Sequence, residues 1–319
     1  LVESRTSPER RTTMTITATP IDATLGAVVT DVKLGELDDA TWEEIHAAFL
    51  EYGMLVFPGQ HMNDDEQDAF ARRFGDIEQL NPQQKGANVR ISNAKPDGSV
   101  AKPDDYQFKV LRGNEGWHTD STYMPLASKA AMLSAITVPP EGGETEFADM
   151  RAAWEALSPE MQAKLEGLEA YHSLYYSQER AGYQFNTDNI YGFHDKGAPL
   201  RAVVKVHPET GRKSLYTGRH AYNIVGMDPK ESEALLDGLM EAACQPPRTY
   251  KHAWTLGDTV VWDNRCVMHR ARPYDTSQAR VLRGSRIAGD AATELAPTFA
   301  DERADTFKPT SSNKSSLAV

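Results

Sequence analysis

In the first third of the chain apolar residues recur at helical spacing, whereas further along they gather into short runs. The segment "LDDATWEEIHAAFLEYG" sets Ile45, Phe49 and Leu50 along one side, begins at an Asp38 or Asp39 cap and stops at Gly53, which predicts a helix. "MLVFPG" then reads as a brief buried strand, and "DDEQDAFARRFG" as a second helix ended by glycine. From about position 88 the texture changes to β-like runs separated by Gly, Pro and Asp, among them "KAAMLSAITV", "RAVVKVH", "KSLYTG", "RTYKHAW", "DTVVWD" and "RVLRGSRIAG". "HPETGRK" between two of these predicts a hairpin turn, and the helical patterns "MRAAWEALSPEMQAKLEGL" and "DPKESEALLDGLMEAAC" interrupt the series. Two stretches, near 94–112 and 174–199, keep neither period and read as long irregular loops, a lid or binding segments. The whole predicts a mainly β fold with surrounding helices, a jelly roll or sandwich of the α+β kind.

At 319 residues the chain is long enough for one large or two modest domains, and a single one is expected over 18–302. Residues 1–17 read as an N-terminal extension running past Met14, and the Ser/Lys/Pro-rich 303–319 as a disordered tail. A net charge of −12, with no Lys/Arg stripe, excludes phosphate neutralisation as the main task, so no nucleic-acid partner is expected. No run approaches 18 apolar residues, so no membrane span is expected either. Two cysteines, Cys244 and Cys266, offer no disulfide framework and no CxxC pair; they fit a reducing cytoplasm.

Candidate chemistry begins at "GWHTDSTY". If His118 and Asp120 lie on a strand, they share a face while Thr119 points away, and two metal-ligand types aim at one place. His269, closing "DTVVWDNRCVMH" after a strongly β-like run, is the best third ligand among nine histidines. Two nitrogens and a carboxylate leave coordination positions open on a ferrous ion, the facial arrangement of non-haem oxygenases. An isolated HxD is more often a pair of partly exposed polar residues, so the next element matters. Arg280 opens a strand-like run in which Arg280, Leu282, Gly284 and Arg286 share one face. A guanidinium aimed into a barrel needs an anion, either a bound carboxylate or an internal Asp or Glu; spacing allows both.

These residues, together with "LVFPGQ" before "FARRFG", "PPEGGETEFADM", "AWEALSP", "HPETGRKSLY" and "VVWDNRCVMHRA", resemble the Fe(II)/2-oxoglutarate-dependent dioxygenases of the taurine dioxygenase and 2,4-dichlorophenoxyacetate dioxygenase (TauD/TfdA) type. The resemblance covers nearly all of 20–290. It implies a double-stranded β-helix of the clavaminate synthase-like kind, with Fe(II) on His118, Asp120 and His269. It implies that 2-oxoglutarate is held at its far carboxylate by Arg280 and Thr145, with O2 as the oxidant. The expected reaction hydroxylates a C–H bond of a small or medium organic acid and forms succinate and CO2. The same cofactor chemistry also accommodates desaturation or cyclisation, while a non-catalytic jelly-roll binder and a zinc hydrolase are the rival classes. Asp120 counts against halogenation, for which relatives give up that carboxylate. Family analogy adds a homodimer or homotetramer.

One departure concerns the substrate. Several relatives carry a second arginine four residues after the first, and here that position is Gly284, which is expected to open space and remove an anion clamp. Arg286, one step further on the same face, is the expected substitute, with a rim salt bridge as the alternative, and Arg283 should face outward. Asn114 and Tyr123 are further substrate candidates. Trp117 and Trp262 should pack round the site, and Tyr175, Tyr176, Tyr183, Tyr191 and Phe193 should furnish a lid. His220 is expected to be a satisfied histidine near a turn, and His46, His172, His194, His207 and His252 receive no role.

Overall fold

A computed structural model describes residues 16–79, 88–95, 97–102, 105–182, 192, 194 and 196–306. Strands β1 (Thr17–Pro20) and β2 (Ala27–Thr30) precede helix α1 (Asp39–Tyr52). The Asp38 side chain accepts from the Thr41 amide, and Gly53 ends the helix in the left-handed region at φ 73°, where a side chain would be strained. Strand β3 (Met54–Phe57) leads to α2 (Asp64–Phe74), whose start is fixed by reciprocal bonds between Asn63 and Glu66. Next come β4 (Asn88–Ser92), α3 (Tyr106–Gly113), β5 (Ser128–Thr137) and β6 (Thr145–Asp149).

The helical pattern from Met150 is two helices rather than one, α4 (Met150–Glu155) and α5 (Pro159–Leu165). Proline cannot continue a helix, and Ser158 caps a new one by accepting from the Met161 amide. After β7 (Glu169–His172) and α6 (Leu174–Arg180) come β8 (Ala198–Ala202) and the expected hairpin of β9 (Val204–Val206) and β10 (Lys213–Leu215). Strand β11 (Ala221–Ile224), helix α7 (Pro229–Ala243) and strands β12 (Thr249–His252), β13 (Thr259–Asp263), β14 (Val267–Ala271) and β15 (Val281–Ala288) complete the framework. Helix α8 (Ala291–Glu294), strand β16 (Thr298–Phe299) and helix α9 (Glu302–Thr306) close it.

One expectation changes here. Helices α3 and α6 occupy parts of both stretches read as irregular; at eight and seven residues they are too short to show a period. Thr17 already pairs with Thr30, and Arg303 in α9 is ion-paired with Glu179 and Asp301.

Among the described residues the large sheet runs β1-β2-β3-β13-β5-β15-β4, and a smaller one runs β12-β6-β14. Strand alternation divides the apolar residues between layers. Met132, Val261 and Ile287 face outward from the large sheet and pack with Phe49, Phe70 and Phe74 of α1 and α2. Leu133, Val260, Trp262 and Leu282 face inward and meet Phe147 of the small sheet. On the small sheet Ala148 and Met268 turn outward toward Trp154 of α4 and Leu236 of α7. Phe147 and its partner His269 therefore face the interior between the sheets.

Candidate metal centre

The segment "GWHTDSTY" is not a strand. His118 makes a single antiparallel bridge to His269, its amide donating to the His269 carbonyl at 3.0 Å and its carbonyl accepting from the His269 amide at 2.8 Å. Asp120 then lies in a turn, and Ser121 follows in the left-handed region at φ 54°. The convergence expected from a strand thus arises from one bridge and a turn. Ligand-type atoms of His118, Asp120 and His269 all lie within 4.8 Å of one another, and all three residues are buried.

This donor set fits a divalent metal. The Gly116 carbonyl lies 2.7 Å from His118 Nδ1; a carbonyl only accepts, so Nδ1 carries the proton and Nε2 keeps its lone pair. His269 Nε2 stands 3.6 Å from Asp120 Oδ2, and its Nδ1 has no hydrogen-bond partner among the described residues. Burial drives the His118 pKa well below the usual histidine range and that of His269 down to about 4, so both rings are neutral donors at neutral pH. Burial by itself would raise Asp120, but the Arg286 guanidinium and the two imidazoles hold its carboxyl below the usual range.

The same cavity is lined by Asn114, Thr145, Arg280 and Arg286, so most residues singled out from the sequence meet at one place. Arg280 is buried, with Nε donating to the Gly143 carbonyl at 2.8 Å, and no ion-pair partner stands beside it among the described residues. Burial lowers its pKa to about 10, which leaves a cation at neutral pH. Thr145 Oγ1 accepts from Trp254 Nε1 at 3.0 Å, so the threonine hydroxyl proton is free to be donated elsewhere. Asn114 ends α3, and its carbonyl accepts from the Ala271 amide at 2.8 Å. Trp262 and Phe147 flank His269, with ring centroids at 4.6 and 6.3 Å.

Several substrate expectations are revised. Gly284 lines the cavity, where an added Cβ would meet Ile91, Leu133 and Val89 side chains at 3.3–3.5 Å, so the space the glycine leaves is walled by apolar groups. Arg286 reaches the cavity, but its Nη2 is 2.6 Å from Asp120 Oδ1, so its partner is the candidate metal ligand itself. Arg283 faces away, as alternation requires, yet it is buried beneath α2, bonded to Gln67, Asp64 and the Met62 carbonyl. Tyr123 lies outside this cavity. Its ring packs 4.8 Å from His220, and it lines a separate small cavity with His172 and Asp301. Tyr175 bonds the His194 carbonyl and Tyr176 stacks on Tyr222, while Tyr183, Tyr191 and Phe193 fall outside the described residues.

Sequence reasoning missed Glu78 and Ser121. The Ser121 hydroxyl donates to Glu78 Oε2 at 2.7 Å, and burial pushes the Glu78 carboxyl up to about 7 against the pull of Arg286. Neither residue belongs to a periodic pattern, and the left-handed turn at Ser121 has no signature in its residue type.

A jelly roll whose sheets converge on two histidines and a carboxylate, with a buried arginine beyond them, is the framework of a non-haem iron oxygenase. Residues 17–286 match the model of the family described as taurine catabolism dioxygenase TauD, TfdA family, and the chain belongs to that family. It is 54% identical to the (S)-phenoxypropionate/alpha-ketoglutarate-dioxygenase of Sphingobium herbicidovorans over 283 residues, covering 87% of this chain and 96% of that one. It is 39% identical to the alpha-ketoglutarate-dependent 2,4-dichlorophenoxyacetate dioxygenase of Cupriavidus pinatubonensis, covering 87% and 99% respectively. Among solved structures, AAD-2 in complex with Mn(II) and N-oxalylglycine superimposes with a TM-score of 0.80 at 37% identity, covering 90% of this chain and 100% of that one. No helix of the described residues is long and apolar enough to cross a membrane.

Proposed function

We propose that this chain is an Fe(II)- and 2-oxoglutarate-dependent dioxygenase that hydroxylates a small aryloxyalkanoate-like organic acid. The observation that carries the reading is one cavity holding His118, Asp120 and His269 together with Thr145 and the buried Arg280. Its family and its two phenoxypropionate-acting relatives, 54% and 50% identical, support the substrate class. The structural relative AAD-2 supports the cofactors, since N-oxalylglycine is a 2-oxo diacid and Mn(II) a divalent stand-in for iron.

Each side chain has a task in this reading. His118, Asp120 and His269 hold the metal, and the His118 bond to Gly116 keeps one ring tautomer in place. Arg280 and the Thr145 hydroxyl, whose oxygen is occupied by Trp254, bind the far carboxylate of 2-oxoglutarate. Ile91, Leu133 and Leu282 form an apolar wall suited to an aryl ring, and Asn114 sits at its edge. Bound Fe(II) supplies the activation of O2, so that substrate C–H, O2 and 2-oxoglutarate become substrate C–OH, succinate and CO2. A hydroxyl placed on the carbon bearing an aryl ether oxygen gives a hemiketal or hemiacetal, which expels the phenol. The reading further includes one domain over 18–302, self-association as a dimer or tetramer, and a cytoplasmic setting supported by two free cysteines.

The test begins with anaerobic addition of Fe(II) and 2-oxoglutarate, followed by O2-dependent succinate release over a panel of aryloxypropionates, aryloxyacetates, alkyl sulfates and sulfonates. A visible charge-transfer band and succinate release that exceeds the uncoupled background with an aryloxy acid are expected. Iron-loaded protein that never consumes 2-oxoglutarate with any compound overturns the reading.

A further inference from the structure

Asp120 stands in a turn, just beyond a one-residue bridge, so no strand ladder fixes where its carboxylate points. Something else must orient it. Arg286 Nη2 holds Oδ1 at 2.6 Å, while Oδ2 faces His269 Nε2 at 3.6 Å. The other Arg286 nitrogen, Nη1, donates to Ser121 Oγ at 3.4 Å, and the Ser121 hydroxyl donates onward to Glu78 Oε2 at 2.7 Å. Glu78 is itself tied to the strand that bears Arg286. Its amide donates to the Arg286 carbonyl at 2.9 Å, and Ile77 bridges Ile287. Both ends of the relay are therefore anchored on backbone that is hydrogen-bonded together.

We propose that Glu78, Ser121 and Arg286 are positioning residues that hold the Asp120 carboxylate by one oxygen and present only the other to the metal. The inference rests on the reading of Asp120 as a metal ligand. A carboxylate gripped at Oδ1 by a guanidinium cannot swing to offer both oxygens, so a coordination position stays open for 2-oxo acid or O2. Ser121 in the left-handed region brings its hydroxyl between Arg286 and Glu78, a conformation that a non-glycine residue adopts only when its surroundings enforce it. Arg286 thereby acts on the metal side of the cavity, which differs from a clamp on the substrate anion.

The experiment compares wild type, Glu78→Gln, Ser121→Ala and Asp120→Ala as purified full-length protein, titrated with Co(II) in place of iron and followed by the visible cobalt spectrum, with thermal unfolding measured alongside. Loss of the relay is expected to weaken Co(II) binding by roughly 10- to 100-fold in both relay variants. Their cobalt spectra should also shift to a different coordination number, at an unchanged unfolding temperature. Wild-type spectrum and affinity in both folded relay variants, with Asp120→Ala unable to bind, overturn the positioning role and leave the metal site standing. Asp120→Ala binding Co(II) as wild type does overturns the ligand assignment, and the relay with it. Should Glu78→Gln fail to fold, Ser121→Ala, which removes one hydroxyl from a turn, decides by the same two readouts.

Discussion

Among the described residues two places bring a buried histidine and aspartate together with a third ligand, and they differ in what remains for a guest. At the first, His118, Asp120 and His269 keep lone pairs turned toward a cavity. At the second, His207, Asp263 and Cys266 lie equally close and equally buried, but the imidazole and the carboxylate are already hydrogen-bonded. His207 Nδ1 accepts the amides of Glu209 and Thr210, so its proton sits on Nε2 and goes to Asp263 at 2.9 Å. Asp263 is held by two Arg265 nitrogens at 2.8 and 2.7 Å, and burial pushes the Cys266 thiol up, away from the thiolate a metal needs. Proximity and burial are thus common to a candidate metal centre and to a structural knot; the difference is unspent lone pairs facing a space.

The comparison is broken most severely by Asp120→Ala, which is expected to abolish metal retention and succinate formation while leaving the unfolding temperature within a few degrees of wild type. Metal analysis after gel filtration and calorimetry check it. Asp263→Ala should do the reverse. It leaves Arg265 buried beside an unpaired His207 and is expected to lose about 3–5 kcal/mol of stability, with one metal per chain still bound. The same pair gives a pH test. Burial alone would raise the Asp263 pKa, but Arg265 and His207 hold it well below its ordinary 3.8. A depressed carboxylate contributes stability that is complete above that ordinary value and is lost as the pH falls below it. Acid unfolding of wild type should therefore steepen below about pH 4, and less so in Asp263→Ala.

Within the first site, Arg280→Ala should raise the 2-oxoglutarate Kd by roughly 100-fold, about 2.7 kcal/mol, with metal affinity changed by less than roughly threefold. Titration of the charge-transfer band measures the first and Co(II) titration the second. Equal losses in both would show that Arg280 supports the metal rather than the co-substrate. The smallest effect is expected for Cys266→Ala, about 1 kcal/mol of stability from a small buried group, with unaltered metal content and turnover.

The longer helices were legible because their end signals are local: Asp38 and Gly53 for α1 and Gly75 for α2. Strand alternation also carried through, since Arg280, Leu282, Gly284 and Arg286 line the cavity while Arg283 turns away. The failures have a common cause in contacts made at long range. Arg286 reads as a clamp for a substrate anion, but Asp120 takes its Nη2, and Tyr123 reads as a pocket residue, but its ring packs on His220. Glu78 lies 43 positions from the Ser121 it accepts from, so no local pattern could name it.

By itself the sequence determined the donor types, the two-residue spacing of His118 and Asp120, the face of the final strand and the caps that end the helices. These depend on dihedral periods and on neighbours a few residues away. Only the tertiary structure decided which oxygen of Asp120 is held by Arg286, which histidine–aspartate pair is already satisfied and that Arg280 has no carboxylate beside it among the described residues. Those are matters of hydrogen-bond occupancy, settled by groups that meet only when the sheets close on one another.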